Sequence, residues 1–174
     1  MVSPDRALVL IGPMGAGKSS IGRRVAKALG RAFVDTDAEI VRAHGAIAEI
    51  FARDGEPRFR ELEHEAVRDA IARGGVVALG GGAVLHPATR EALGAHRVAL
   101  LTVDEHTVAG RIGGRKRPLL NTADPLAEWI RIRDERMPVY LEVADATFDT
   151  SSGPLQQVVE RIVAWAQGEQ EDRA

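Results

Sequence analysis

The segment at residues 12–19 combines residue types and spacing that suit the binding of phosphate. It reads GPMGAGKS and fits the pattern G-x-x-x-x-G-K-[S/T], with Gly12, Gly17, Lys18 and Ser19 at the defining positions. Glycines let backbone N–H groups turn towards phosphate oxygens, and the following helix adds the positive end of its dipole. The lysine can reach the outer phosphates, and the serine hydroxyl can ligate Mg²⁺. The motif therefore predicts a site for a nucleoside triphosphate and Mg²⁺.

The surroundings of this motif have the strand–loop–helix order that it requires. The apolar run ALVLI at residues 7–11 precedes it, and Ile21, Val25 and Leu29 follow at helical spacing. An ordinary glycine turn with a helix-facing lysine is the alternative, which this context disfavours. The other phosphate-binding candidates in the loop are Gly15, Ala16 and Ser20.

The rest of the chain alternates short apolar runs with segments of helical spacing. The runs lie at residues 7–11, 32–35, 76–80, 97–103 and 146–149. This alternation predicts an α/β fold with a five-stranded parallel sheet flanked by helices, in which ligands bind at the carboxyl ends of the strands. A length of 174 residues predicts one domain over residues 1–174.

Two stretches look irregular or inserted. One lies at about residues 36–60, and we expect a substrate-binding segment at about 36–62. The other lies at residues 112–125, where glycines, prolines and three basic residues predict a mobile lid over phosphates.

Composition excludes several classes of function. The net charge of −2 argues against a nucleic-acid surface, and the absence of cysteine excludes disulfides and thiolate metal sites. No apolar stretch approaches membrane-spanning length, and the N-terminus lacks the pattern of a signal peptide. We therefore expect a cytoplasmic protein without membrane or nucleic-acid partners, and we expect a monomer.

Two carboxylates follow the second predicted strand. Asp35 and Asp37 alternate in what we interpret as an extended segment, so their side chains should point to opposite sides. One would face metal and phosphates, and Asp35 is the better candidate for holding hydrated Mg²⁺. The other would face a second substrate, although Asp37 could instead serve only as a helix N-cap.

A triple glycine, Gly80, Gly81 and Gly82, follows the third predicted strand. Many phosphate-loop enzymes carry a metal-organising aspartate at such a strand end, and this chain carries none there. The glycines offer close backbone approach to a small ligand, or alternatively a tight turn that needs a positive φ.

Three arginines stand out among many that we expect to be solvated. Arg117 lies in the lid segment, where a guanidinium could neutralise charge on a transferred phosphoryl group. Arg60 and Arg136 could together bind a carboxylate through bidentate hydrogen bonds.

These residues together resemble the shikimate kinase family. The resemblance rests on GPMGAGKSSIGRRVAKALG, FVDTD, IAEIFARDGEPRFRELE, ALGGGAVL, RPLL and RMPVYLEVAD, in this order from about residue 8 to residue 150. The phosphate loop alone is common to many nucleotide kinases, whereas the combination with DTD, FR-x-x-E, GGG and RPLL is much more particular. The resemblance implies a phosphate-loop kinase fold and ATP-dependent phosphorylation of the 3-hydroxyl of shikimate, a step of aromatic amino acid biosynthesis.

The resemblance also implies roles in the acceptor site. Asp37 would bind ring hydroxyls and orient the nucleophilic 3-hydroxyl, either as a general base or only by positioning it. Arg60 and Arg136 would hold the carboxylate, with Glu63 bracing Arg60. The backbone wall of the site would be Gly80, Gly81 and Gly82.

In the nucleotide site, the resemblance implies that Arg117 contacts both ATP phosphate and shikimate. Arg111 would stack on adenine, with Pro154 as the opposite face. Some members of the family carry arginines in the loop before this proline, whereas this chain reads DTSSGP. Backbone or serine groups would have to replace them.

Two other functions compete with this one. A related kinase for a sugar acid such as gluconate would also need arginines, but the DTD and GGG segments favour shikimate. A nucleotide-binding switch without an acceptor would leave the arginine pair and the glycines without a purpose.

Overall fold

Five strands form a single parallel sheet in the computed structural model, which describes residues 6–112 and 118–168 and only the backbone of Pro118. The strands are β1 (Leu8–Ile11), β2 (Phe33–Asp35), β3 (Val76–Ala78), β4 (Arg97–Thr102) and β5 (Ala146–Asp149). Their order across the sheet is β2-β3-β1-β4-β5. The predicted α/β fold is thereby confirmed, and each strand lies within the run that predicts it.

Helices cover both faces of this sheet. They are α1 (Lys18–Leu29), α2 (Thr36–His44), α3 (Ile47–Arg73), α4 (Pro87–Leu93), α5 (Glu105–Ile112), α6 (Pro125–Val143) and α7 (Leu155–Gly168). Short 3₁₀ turns occupy Ala83–Leu85 and Pro118–Leu120.

Strand β1 is buried on both sides, which explains its continuous apolar run. Leu8 and Leu10 pack into the cluster that includes residues of α1, α6 and α7. Val9 and Ile11 pack into the cluster that includes residues of α3, together with Tyr140 of α6. Helix α6 therefore contributes to the core on both sides of the sheet.

The region at residues 36–60 is helical, so the expectation of an irregular stretch is wrong. Helices α2 and α3 fill it, and Ile40, Ile50 and Phe59 form part of a small separate core. The chain bends within α3 at Gly55, whose φ of 83° and ψ of 166° are not helical. Glycine adopts this conformation without the penalty that a Cβ would impose.

The extended conformation expected for the segment at residues 35–37 ends at Asp35. Asp35 has φ −105° and ψ 115° and is the N-cap of α2, with its side chain accepting a hydrogen bond from the Ala38 N–H at 3.2 Å. Asp37 lies in the first turn of the helix. The alternative that Asp37 serves as the N-cap is therefore wrong, because the preceding aspartate takes that position.

The predicted lid at residues 112–125 lies partly outside the described residues, and Arg117 lies wholly outside them. Within the described ranges, none of the helices has the length and apolar character needed to cross a membrane.

Candidate active site

A cleft of about 920 Å³ opens at the carboxyl ends of the strands. The predicted residues that line it are Gly15, Gly17, Lys18, Ser19, Ser20, Asp35, Asp37, Arg60, Glu63, Gly80, Gly81, Gly82, Arg111 and Arg136. Gly12 and Ala16 are buried within the phosphate loop, and Pro154 is exposed between β5 and α7. The fold thus brings nearly all described candidates to one cavity.

The phosphate loop needs glycine at three positions because of its backbone conformation. Gly12, Gly15 and Gly17 have φ values of 141°, 80° and 92°, and a Cβ at Gly12 would also collide with the Leu101 carbonyl. The Lys18 Nζ atom donates hydrogen bonds to the Gly12 and Pro13 carbonyls at 2.7 and 3.0 Å. The ammonium group is therefore held against the loop, within the space where phosphates would bind.

The outer side of the loop is anchored by three donors from different elements. The Trp129 indole N–H of α6 donates to the Met14 carbonyl at 2.8 Å, and Arg111 Nη1 of α5 donates to the Gly15 carbonyl at 2.9 Å. The Thr150 hydroxyl, just after β5, donates to the Ala16 carbonyl at 2.9 Å. These bonds fix the path of a glycine-rich segment that has little stiffness of its own.

Arg111 also ties the phosphate loop to the segment after β5. Its Nη2 donates to the Thr150 carbonyl at 3.0 Å. In the DTSSGP segment, the Ser151 hydroxyl donates to Asp149 Oδ1 at 2.6 Å and accepts the Asp104 N–H at 2.7 Å. That serine therefore stabilises the loop itself.

Ser19 and Asp35 form a candidate metal site at the start of α1. The Ser19 hydroxyl donates to Asp35 Oδ2 at 2.5 Å, while Asp35 Oδ1 caps α2. A hydroxyl and a carboxylate are the hard oxygen donors that Mg²⁺ prefers, and Mg²⁺ usually keeps several waters and binds substrate phosphates. Within residues 6–112 and 118–168 there is no group of three or more His, Cys, Asp or Glu that could bind a metal alone. The donor set suits a hydrated Mg²⁺ shared with phosphates.

Arg60 and Glu63 form a largely buried ion pair on α3. The Arg60 Nη1 to Glu63 Oε1 distance is 2.7 Å, and Glu63 is only 2% exposed. Burial raises the pKa of Glu63 to about 7, and the positive charge of Arg60 opposes that rise. A second bond, from Arg60 Nη2 to Glu56 at 3.1 Å, leaves the guanidinium fixed at the cleft wall.

Asp37 presents a buried carboxylate oxygen to which none of the described residues donates a hydrogen bond. The residue is half-buried, but its Oδ1 atom is fully buried and has no hydrogen-bond partner in the described part of the chain. Burial and the nearby Asp35 raise the pKa of Asp37, whereas Lys18 and Arg60 lower it. An unsatisfied buried acceptor is unfavourable, so a ligand hydroxyl would gain by donating to it.

In the triple glycine at residues 80–82, Gly80 and Gly82 are required by close approach rather than by backbone conformation. None of the three has a positive φ, so the alternative of a positive-φ turn is wrong. A Cβ at Gly80 would lie 2.7 Å from both Asp37 Oδ1 and Glu63 Oε2. A Cβ at Gly82 would collide with the Arg60 guanidinium. The missing side chains make room for the charged groups of the site.

Arg136 approaches the same glycine segment from α6. It is 6% exposed, and its Nη1 lies 3.5 Å from the place of a Cβ at Gly81. Arg60 and Arg136 thus both face the glycine segment, where two guanidiniums could bind one carboxylate. The same Gly81 position lies 3.6 Å from the Gly12 carbonyl, so this polar pocket adjoins the phosphate loop.

Sequence reasoning missed Trp129, Tyr140 and Thr150 as site residues. The Tyr140 hydroxyl donates a short hydrogen bond to the Gly81 carbonyl. Trp129 and Thr150 donate to carbonyls of the phosphate loop. Thr150 had a detectable signal, because it directly follows a predicted strand. The aromatic pair had none beyond an apolar helical pattern.

Comparison with known proteins agrees with this geometry. The family model for shikimate kinase matches residues 14–167. A shikimate kinase of Rhodococcus erythropolis is 47% identical over 159 residues, which cover 90% of this chain and 94% of the relative. The structure of a shikimate kinase from Acinetobacter baumannii in complex with shikimate superposes with a TM-score of 0.90 at 35% identity and covers 94% of both chains. A gluconokinase from Sinorhizobium meliloti has a TM-score of 0.63 at 22% identity, with 97% of this chain and 95% of that one covered, and shares the fold.

Proposed function

Because this chain belongs to the shikimate kinase family, we propose that it transfers the γ-phosphoryl group of ATP to the 3-hydroxyl of shikimate, giving shikimate 3-phosphate and ADP. The observation that carries this proposal is the contact between two half-sites. A triphosphate loop and a pocket with two arginines and a buried carboxylate oxygen meet at Gly81.

The pocket supplies groups that match the acceptor. Arg60 and Arg136 bind its carboxylate, and the ion pair with Glu63 keeps Arg60 in place. The backbone at residues 80–82 forms the wall against which the ring packs. Asp37 Oδ1 accepts the hydrogen bond of the reacting hydroxyl, which orients it towards the phosphate loop.

The phosphate loop supplies the stabilisation of charge. Phosphoryl transfer passes through a loose transition state whose charge spreads over the equatorial oxygens, so catalysis depends on positioning and electrostatics. Lys18 and the loop amides, with Ser20 at the start of α1, bind the donor phosphates. Arg117 of the lid segment adds a further positive charge, and closure of residues 112–125 excludes water.

Ser19 would hold Mg²⁺ directly, and Asp35 would hold it through water. The ion would neutralise charge on the donor phosphates. The Arg111 guanidinium, fixed by Gly15 and Thr150, offers a flat face for adenine, with Pro154 as the opposite face.

We further propose that residues 1–174 act as a single domain, with the substrate-binding segment at about 36–62, and that the protein is a cytoplasmic monomer. The net charge of −2 supports the absence of a nucleic-acid partner.

A coupled assay of ADP release tests the proposed reaction. The purified protein is given ATP and Mg²⁺ with shikimate, gluconate or a nucleoside monophosphate in turn. We expect saturable ADP release with shikimate and only slow background hydrolysis with the others. ADP release that does not depend on shikimate would refute the proposal, and stimulation by gluconate instead would identify a sugar-acid kinase.

A further inference from the structure

We propose that helix α6 sets the spacing between the donor and acceptor halves of the site, with Trp129 and Tyr140 as its two positioning residues. This inference rests on the proposed phosphoryl transfer, because it concerns the alignment of the two substrates. Neither side chain lines the cleft, so each would act through the loop that it holds.

Trp129 fixes the donor half. It is 1% exposed, and its indole N–H donates to the Met14 carbonyl in the centre of the phosphate loop at 2.8 Å. Indole is a donor only, so a buried tryptophan gains by finding such a carbonyl. The bond joins the N-terminal part of α6 to the loop.

Tyr140 fixes the acceptor half. It is also 1% exposed, and its hydroxyl donates a short hydrogen bond to the Gly81 carbonyl. Burial raises the pKa of the phenol, so the group keeps its proton and remains a donor at neutral pH. The bond holds the middle glycine of a segment that has no side chains of its own to anchor it.

The two contacts lie on one buried stripe of a single helix, which continues through Pro138. The buried residues of α6 are Trp129, Ile132, Arg136 and Tyr140, spaced at helical intervals. Trp129 and Tyr140 are eleven positions apart, which corresponds to about 16 Å along the helix axis. Arg136, between them, reaches the acceptor pocket. One helix therefore fixes the positions of the phosphate loop, the carboxylate-binding arginine and the glycine wall relative to one another.

This fixed spacing matters because the phosphate loop and the glycine segment at residues 80–82 are both intrinsically flexible. Glycine-rich segments have little conformational preference of their own, and a misplacement of about 1 Å between reactants can lower a rate by about 10²-fold. The hydrogen bonds from α6 hold one loop on each side of the reacting groups.

Two conservative variants test the division of roles. Tyr140→Phe removes only the hydroxyl, and we expect KM for shikimate to rise about three- to tenfold while KM for ATP stays within twofold. Trp129→Phe removes the indole donor, and we expect KM for ATP to rise about three- to tenfold while KM for shikimate stays within twofold. Trp165→Phe on α7 is the matched control, because its ring packs against Phe148 away from both loops. Equal changes in both KM values, or unchanged KM for shikimate in Tyr140→Phe, would overturn the proposal.

A second measurement does not depend on the acceptor. Trp129 and Trp165 are the two tryptophans of the chain, so in Trp165→Phe the remaining tryptophan fluorescence comes from Trp129. We expect a saturable change in its emission on titration with ATP and Mg²⁺, and no change would overturn its assignment to the phosphate loop. If wild-type protein fails to release ADP with shikimate, the proposed reaction fails while this titration still tests the Trp129 contact. Loss of folding in Trp129→Phe would leave Tyr140→Phe and the titration as the deciding tests.

Discussion

Asp37 and Glu63 bring two carboxyl groups to the same point beneath Gly80, where each lies 2.7 Å from the place of an absent Cβ. Burial raises the pKa of both groups, but their partners differ. Glu63 is bonded to Arg60, whereas Asp37 Oδ1 has no partner within the described residues. Glu63 is thus suited to hold an arginine and Asp37 to meet a ligand.

Asp37→Asn separates binding from chemistry. The amide keeps the shape and an oxygen that can accept a hydrogen bond, but it cannot take a proton at neutral pH. We expect KM for shikimate to change by less than about threefold and kcat to fall on the order of 10²-fold, the range of general-base catalysis. Steady-state kinetics with varied shikimate measure both. A kcat close to wild type would leave Asp37 with a positioning role only.

Glu63→Gln should change how stability depends on pH. The folded pKa of about 7 lies above the ordinary value of 4.5, so the folded state binds more protons than the unfolded state between these values. The contribution of Glu63 to stability is therefore present below pH 4.5 and is lost as pH rises to about 7, by about 3 kcal/mol at most. The glutamine variant should lack this loss.

Urea denaturation at pH 5, 6, 7 and 8 measures the difference between wild type and variant. Glu61→Gln is the matched control, since Glu61 pairs with Arg58 on the exposed side of the same helix. A wild-type pH profile in Glu63→Gln would contradict the assignment.

At the scale of elements, the three central strands β3, β1 and β4 could be predicted because burial on both faces makes each a mostly apolar run. The start of the helix after β2 could not be predicted, because Asp35 and Asp37 are both residues that favour the N-cap position. In the structure Asp35 takes that position. The triple glycine correctly predicted where β3 ends, but the sequence did not show why glycine is needed there. The charged atoms that exclude a Cβ come from α2 and α3, far along the chain.

The positioning residues escaped prediction for a related reason. Trp129 and Tyr140 donate to backbone carbonyls, which every residue carries, so no partner residue type marks the pairing in the sequence. Arg60 and Arg136 were easier, because a carboxylate ligand needs a particular side-chain chemistry.

Gly82→Ala tests the glycine segment as an element. Its Cβ would meet the end of the Arg60 side chain, which can move, so the fold should tolerate the change while the guanidinium is displaced. We expect KM for shikimate to rise about tenfold, as for a lost charge-assisted hydrogen bond, with thermal stability nearly unchanged.

Gly81→Ala is the matched control for that variant, because its nearest neighbours lie at 3.5–3.6 Å, an ordinary contact distance. Its KM should remain closer to wild type. Equal effects of the two substitutions would show that the Arg60 contact is not the cause.

At the scale of the whole molecule, the two half-sites belong to one sheet and one core. The phosphate loop follows β1 and the glycine segment follows β3. These two strands are paired side by side, with Leu8 opposite Val76 and Leu10 opposite Ala78. Helix α6 packs on both core clusters and contacts both loops. Local opening of one half would therefore disturb the other, so we expect the molecule to unfold as a single cooperative unit.

Ligand-linked unfolding tests this expectation. A ligand that binds only the folded state at 100 times its Kd stabilises it by about 2.7 kcal/mol, which corresponds to a rise in Tm of roughly 5–10 °C for a chain of this size. We expect shikimate alone to shift one transition, seen equally by circular dichroism and, in Trp165→Phe, by the fluorescence of Trp129 beside the phosphate loop. Gluconate at the same concentration should leave Tm unchanged. Two separate transitions, or a shift seen by only one probe, would mean that the acceptor pocket and the phosphate loop unfold independently.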